Sequence, residues 1–301
     1  MDKILLLLPF FLWGTAMVVM KSLLLHTTPL FMAALRLLPA GLILLLVAAW
    51  LKRPQPQGWR AWGWIGLFAL FDAFLFQGFL ALGLSETGAG LGSLLIDSQP
   101  IAVALLAFLI YQEKIDRYCG LGLALGIVGI ALVGLPPAVR ELLWQRDWQG
   151  ALAAGVFERG EWFMLGASLS MAVGTILIRP VVGVADPLVA TGWHMILGGI
   201  PLLVLALWHQ QPWIGLTPLD WGGMVYMSVM GSALAYGLFF YFASRGNLTS
   251  LSALTFSTPM FALLFSSLFL DEHLAWVQWV GVVVTLASIY LVSLSRSRGA
   301  T

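Results

Sequence analysis

Ten stretches of about 20 mostly apolar residues follow one another along this chain, and about 20 such residues are what a helix needs to cross a bilayer. They run roughly over 3–24, 28–51, 61–84, 87–111, 117–135, 161–181, 187–208, 219–243, 248–270 and 275–294. The fourth and ninth have polar centres. Composition leaves few alternatives. The 301 residues are 60% hydrophobic and 10% charged, whereas a soluble domain is about half apolar and about a quarter charged. Lipid must solvate most of this surface. A bilayer core leaves no backbone polar group to water, so the spans must be helices. The expected fold class is an all-α polytopic membrane protein with ten transmembrane helices, in two inverted five-helix repeats.

Other features exclude functions. The net charge of +1 comes without a basic run that would suit nucleic acid. One cysteine, Cys119, permits no internal disulfide framework and no cysteine-based metal site. Lys3 and the apolar run after it resemble a leader, but the run continues through Val19 without an Ala-x-Ala site, so it reads as a retained first span. No Walker loop, His-Glu-x-x-His or Gly-x-Ser-Gly is present. The expectation is therefore no enzyme, no cofactor and no metal. A channel or lipid scramblase stands as the alternative to a transporter, and an intramembrane enzyme as a minor one.

The chain also repeats itself. An offset of 158–159 residues superposes Pro29 on Pro187, Arg36 on His194, Trp62 on Trp221, Gly78 on Gly237, Pro100 on Pro259, Glu113 on Glu272 and Gly122 on Gly281. The units are 3–135 and 161–294, joined by a charged connection over 136–160. Five spans per unit is odd, so the second unit must enter the membrane in the opposite sense. Inverted repeats suit alternating access, because two similar halves can exchange conformations. Lys and Arg concentrate in Lys52-Arg53, Arg60, Lys114, Arg117, Arg179, Arg245, Arg296 and Arg298. The positive-inside rule then places both termini in the cytoplasm and 136–160 outside, in a plasma (inner) membrane.

Pro9-Phe10-Phe11-Leu12-Trp13-Gly14-Thr15-Ala16, Ala34-Leu35-Arg36-Leu37-Leu38-Pro39-Ala40-Gly41, and Pro259 with Asp271-Glu272 resemble the drug/metabolite transporter superfamily, in its ten-span branch with two EamA domains. The resemblance spans 4–294. Asp97-Ser98-Gln99-Pro100 and Thr191-Gly192-Trp193-His194-Met195 resemble cyanobacterial and plastid-type members. The resemblance implies export or exchange of small organic metabolites, amino-acid-like or drug-like. It also implies a central cavity lined by spans 1–4 and 6–9, with spans 5 and 10 behind. The expected partners are a small-molecule substrate, the lipid bilayer and protons as coupling ion. The chain is a monomer or homodimer.

Ionisable groups inside spans are costly and usually face a cavity or a partner. At 1.5 Å per residue, Arg36, Asp97 and Asp72 lie roughly 12, 15 and 18 Å from the external side. Their similar depths suggest that Arg36 pairs with Asp97 or Asp72. The leftover acid would suit a proton relay, because desolvation favours the neutral form of a carboxylate. A structural ion pair is the plain alternative. His194 occupies the Arg36 position of the second unit. Pro100 and Pro259 mark helix breaks whose freed carbonyls must be re-satisfied or line a cavity. The substrate-binding set expected here is Trp13, Arg36, Asp72, Gln77, Asp97, Gln99, His194, Tyr236, Thr255 and Ser257. Glu113 and Glu272, beside loops, read as gate or cap residues. Gly88, Gly92, Gly122 and Gly126 read as close helix packing.

Overall fold

The computed structural model describes residues 3–88, 92, 95–96, 98–113, 115–134, 141, 145, 159–208, 212–246, 248–269 and 275–298. Among them run α1 (Lys3–Leu23), α2 (Pro29–Trp50), α3 (Gly58–Glu86), α4 (Gln99–Tyr111), α5 (Arg117–Gly134), α6 (Arg159–Val182), α7 (Pro187–Leu207) and α8 (Pro218–Ala243). The next rod, α9, joins Leu248–Ser252, a 3₁₀ turn over Ala253–Ser257 and Thr258–Phe269; α10 is Trp276–Arg298. Of the described helices, α1, α2, α3, α6, α7 and α8 are long and apolar enough to cross a membrane. Gln99–Tyr111, Arg117–Gly129 and Trp279–Ser288 are shorter apolar stretches.

Local chemistry sets the helix ends. Proline opens α2, α7 and α8, where its missing N–H costs nothing. Asp186 caps α7 by accepting from the Leu188 and Val189 amides, and Thr217 and Asp220 form a capping box on α8. After α4 the chain turns through Gln112 at φ 56°, and the Glu113 amide reaches back to the Ala107 carbonyl.

Two helices carry a π-helical section at matching places, Ala69–Leu75 in α3 and Val229–Leu234 in α8. A π turn widens the helix and is common where a helix serves a site.

The packing is paired. α2 lies along α7 and α5 along α10; α6 packs on α3 and α4, as α1 packs on α8 and α9. Exchanging the two halves leaves this pattern unchanged. Glycines allow the closest approaches. A Cβ on Gly41 would lie 2.8 Å from the Gly192 carbonyl, and one on Gly192 would lie 2.8 Å from Leu45 Cγ. Between α5 and α10, Gly129 meets Thr285, and Ser288 donates to the Gly122 carbonyl at 2.6 Å. Large apolar side chains such as Leu46, Trp50, Leu109, Val204 and Val283 are exposed, while Arg36, Asp72, Gln77, Gln99 and His194 are buried. That is the arrangement of a protein whose solvent is lipid.

A cavity around Arg36

Arg36 stands on α2, 2% exposed. Its Nε donates to Ser232 Oγ at 2.7 Å, its Nη1 to Gln77 Oε1 at 3.2 Å and Met20 Sδ at 3.1 Å, and its Nη2 to the Gly231 carbonyl at 3.2 Å. The guanidinium also lies 5.7 Å from the Tyr236 ring centroid. Gly231 and Ser232 belong to the π section of α8, which brings both acceptors to the guanidinium. Gln77 donates in turn to the Tyr236 hydroxyl at 2.7 Å. Hydrogen bonds to a charged group contribute about 1.5–3 kcal/mol each, which offsets a desolvation cost of several kcal/mol. Among the described residues no carboxylate sits on Arg36.

A narrow cavity opens beside this group. Trp13, Met17 and Met20 of α1, Phe76 of α3, Tyr236 of α8 and Thr258 of α9 line it with Arg36. It holds room for about two waters. Among the described residues the buried Trp13 indole N–H and Thr258 hydroxyl have no hydrogen-bond partner. Both belong to residues of the lining. Trp13 packs against Tyr236 and Phe239, with ring centroids at 4.9 and 5.1 Å.

The expected site residues divide. Trp13, Arg36, Gln77 and Tyr236 come together here. Asp72 does not pair with Arg36. It contacts His194 Nε2 at 3.2 Å, and both side chains are essentially unexposed. Depth along the span was all that the expected pairing used; the direction in which α3 points each side chain decides the partner. Asp72 faces α6 and α7, where Gly174 leaves room for its carboxylate, while Gln77 faces Arg36. Asp97 lies outside the described residues. Gln99 donates to Thr175 Oγ1 at 3.0 Å, against α6. Thr255 and Ser257 donate to the Ser252 and Leu254 carbonyls of their own turn, whereas the Ser252 and Thr258 hydroxyls have no partner among the described residues and that of Thr258 belongs to the cavity lining. Pro100 stands in the first turn of α4, just after a turn at Ser98, and Pro259 in the first α turn after the 3₁₀ section of α9.

Glu113 contacts Arg179 and accepts from Thr249 at 2.9 Å, which ties the ends of α4, α6 and α9 together. Arg179 also lies 4.4 Å over the Tyr111 ring. Glu272 lies outside the described residues. Met17, Met20, Phe76 and Thr258 are lining residues that the sequence reading did not single out. Trp13, Ala16, Met17 and Met20 recur at helical spacing on α1, and that stripe was the available signal.

Comparison with known proteins bears on this arrangement. The model of the EamA-like transporter family matches residues 3–135 and 158–294. The chain belongs to the EamA-like transporter family. An uncharacterized transporter of Synechocystis is 57% identical over 294 residues, covering 96% of this chain and 88% of that protein. A chloroplastic WAT1-related protein of Arabidopsis thaliana is 47% identical over 95% of this chain and 67% of its own length. Protein PecM of Dickeya dadantii is 30% identical over 93% and 88%. A solved protein structure superposes with a TM-score of 0.76 over 98% of this chain and 96% of its own, at 14% identity, which speaks to the fold alone. This EamA-like transporter is thus a multi-pass membrane protein whose cavity lies where its two family matches meet: Arg36 from the first touches Gly231 and Ser232 from the second.

Proposed function

We propose that this EamA-like transporter moves a small organic metabolite bearing an anionic group by alternating access, as a secondary active exporter or exchanger. The observation that carries this reading is the Arg36 site. A buried cation lines a cavity between the halves, and among the described residues its acceptors are all neutral and the indole N–H and hydroxyl beside it have no partner. An anionic oxygen of the cargo would take the charge-assisted bonds that such donors favour. The methionines and aromatic rings of the lining suit an apolar part of the same molecule.

Alternating access rests on the half-exchange symmetry of the packing. In an inverted repeat the two halves rock about the fixed site, and each face is sealed in turn. The Glu113–Arg179–Thr249 cluster serves as the seal at one end of the cavity. The units are 3–135 and 161–294, the connection 136–160 is external, and both termini face the cytoplasm.

A comparison of metabolites in cells lacking and overproducing the protein identifies compounds whose levels respond. Counterflow of those compounds in proteoliposomes is expected to be saturable and to depend on Arg36. If no compound responds, or the responding ones cross Arg36→Gln vesicles as fast as wild type, the reading fails.

A further inference from the structure

The second buried polar centre, Asp72 with His194, does not line the cavity. Its hydrogen bonds fix how many protons it holds. His194 Nδ1 lies 2.5 Å from the Thr191 carbonyl, which has no proton to give, so Nδ1 carries the hydrogen of that bond. A neutral ring then presents only a lone pair at Nε2. Asp72 Oδ2 stands 3.2 Å from that nitrogen. A hydrogen bond there needs one more proton, on Nε2 or on Oδ2. The bridge therefore holds one proton beyond an ionised carboxylate and a neutral imidazole. Without it, a carboxylate would face a lone pair, with Oδ1 lacking a hydrogen-bond partner among the described residues.

We infer that Asp72 and His194 form the proton-binding site that couples this transporter to a proton gradient, an inference that rests on the reading of the chain as a secondary active transporter. One proton enters the Nε2–Oδ2 bridge and joins α3 to α7. Its departure to water on the other side of the membrane leaves the two acceptors facing each other, and α3 and α7 separate there. Nothing else is bound or released in that step.

The surroundings fit this role. Asp72 sits in the π section of α3, and π turns are frequent at functional sites. Phe68 stacks on the His194 ring with centroids 4.1 Å apart, and Phe240 touches both His194 and Tyr236, at 5.7 and 6.0 Å. Tyr236 leads through Gln77 to Arg36. Among the described residues the ionisable groups that face the bridge beyond its own pair are Tyr236 on α8 and, behind it, Arg36 on α2; α6 presents Gly174. A change at the bridge thus reaches the cargo cavity through packed rings.

The test uses the full chain in lipid nanodiscs and needs no cargo. Proton uptake is measured by titration across the histidine range, about pH 5 to 8. Spin labels at Ser85→Cys and Trp208→Cys, in a Cys119→Ala background, report the separation of the α3 and α7 ends over the same range. Wild type is expected to bind about one proton more per chain than Asp72→Asn or His194→Gln, and its label distances to change with pH while those of both variants do not. Equal proton uptake in wild type and variants overturns the inference, as does a distance distribution that ignores pH in wild type or responds equally in all three. Either result leaves counterflow untouched, so this inference can fail while the transporter reading stands.

Discussion

Arg36 is held by neutral acceptors from three helices, and its planar fork fits them where an ammonium would not. Arg36→Lys keeps the charge but loses the geometry, and Arg36→Gln loses both. Both variants are expected to reduce counterflow about tenfold or more, the equivalent of one charge-assisted bond of about 1.5–3 kcal/mol. Counterflow unchanged in Arg36→Lys would assign the residue to charge alone. Trp13→Phe is a gentler probe. The indole N–H has no partner among the described residues, so its loss costs the fold little, while half-saturation for cargo should rise about fivefold to tenfold if it donates to cargo. Equal half-saturation would remove Trp13 from the site. The register of Arg36 and His194 was visible in the repeat, yet their partners were not. Distances along a span can be counted from sequence, but the direction of a side chain depends on π and 3₁₀ turns that hydropathy does not record. Thr255, Ser257 and Thr258 show the same limit: one turn of 3₁₀ helix gives the first two hydroxyls to the backbone and the third to the cavity.

At the scale of helices, close approach substitutes for a hydrophobic driving force, because lipid tails are as apolar as the helix surfaces they replace. The α2–α7 crossing depends on Gly41 lying against the Gly192 carbonyl and Ile196, and Gly192 against the Gly41 carbonyl and Leu45. Gly41→Ala would place a methyl 2.8 Å from the Gly192 carbonyl, and backbone at a helix crossing cannot turn away as a side chain can. The expected cost is about 1–3 kcal/mol, read as a lower thermal midpoint in detergent than that of Gly63→Ala. Gly63 has open space around it, so equal midpoints would show that the crossing tolerates the methyl. Hydropathy located these long helices, and in the structure each of α2, α7 and α8 opens on a proline, Pro29, Pro187 and Pro218. The two π sections carry no proline and no change of apolar period. They were invisible in the sequence.

At the scale of the molecule, the repeat carried most of the reading. It linked the spans pairwise before any contact was known, and the packing of α6 on α3 and α4 matches that of α1 on α8 and α9. The proposed inverted orientation predicts opposite accessibility for two positions. In a Cys119→Ala background, a membrane-impermeant maleimide should label Gln145→Cys in intact cells and spare Gln57→Cys until the membrane is opened. Labelling of both, or of Gln57→Cys alone, would contradict external placement of 136–160. Glu113 and Arg179 should act across the halves: Glu113→Gln is expected to raise solvent access to the cavity, seen as faster thiol labelling of Met20→Cys, with little effect of the exposed control Gln112→Ala. The central claim is that this EamA-like transporter is a carrier with a saturable site at Arg36. Counterflow in proteoliposomes, with the metabolite whose cellular level responds to the protein, measures it most directly. The account predicts flux that saturates with concentration, is stimulated by the same metabolite on the far side, and falls about tenfold or more in Arg36→Gln. Flux that rises linearly without saturation, or is indifferent to metabolite on the far side, would contradict it.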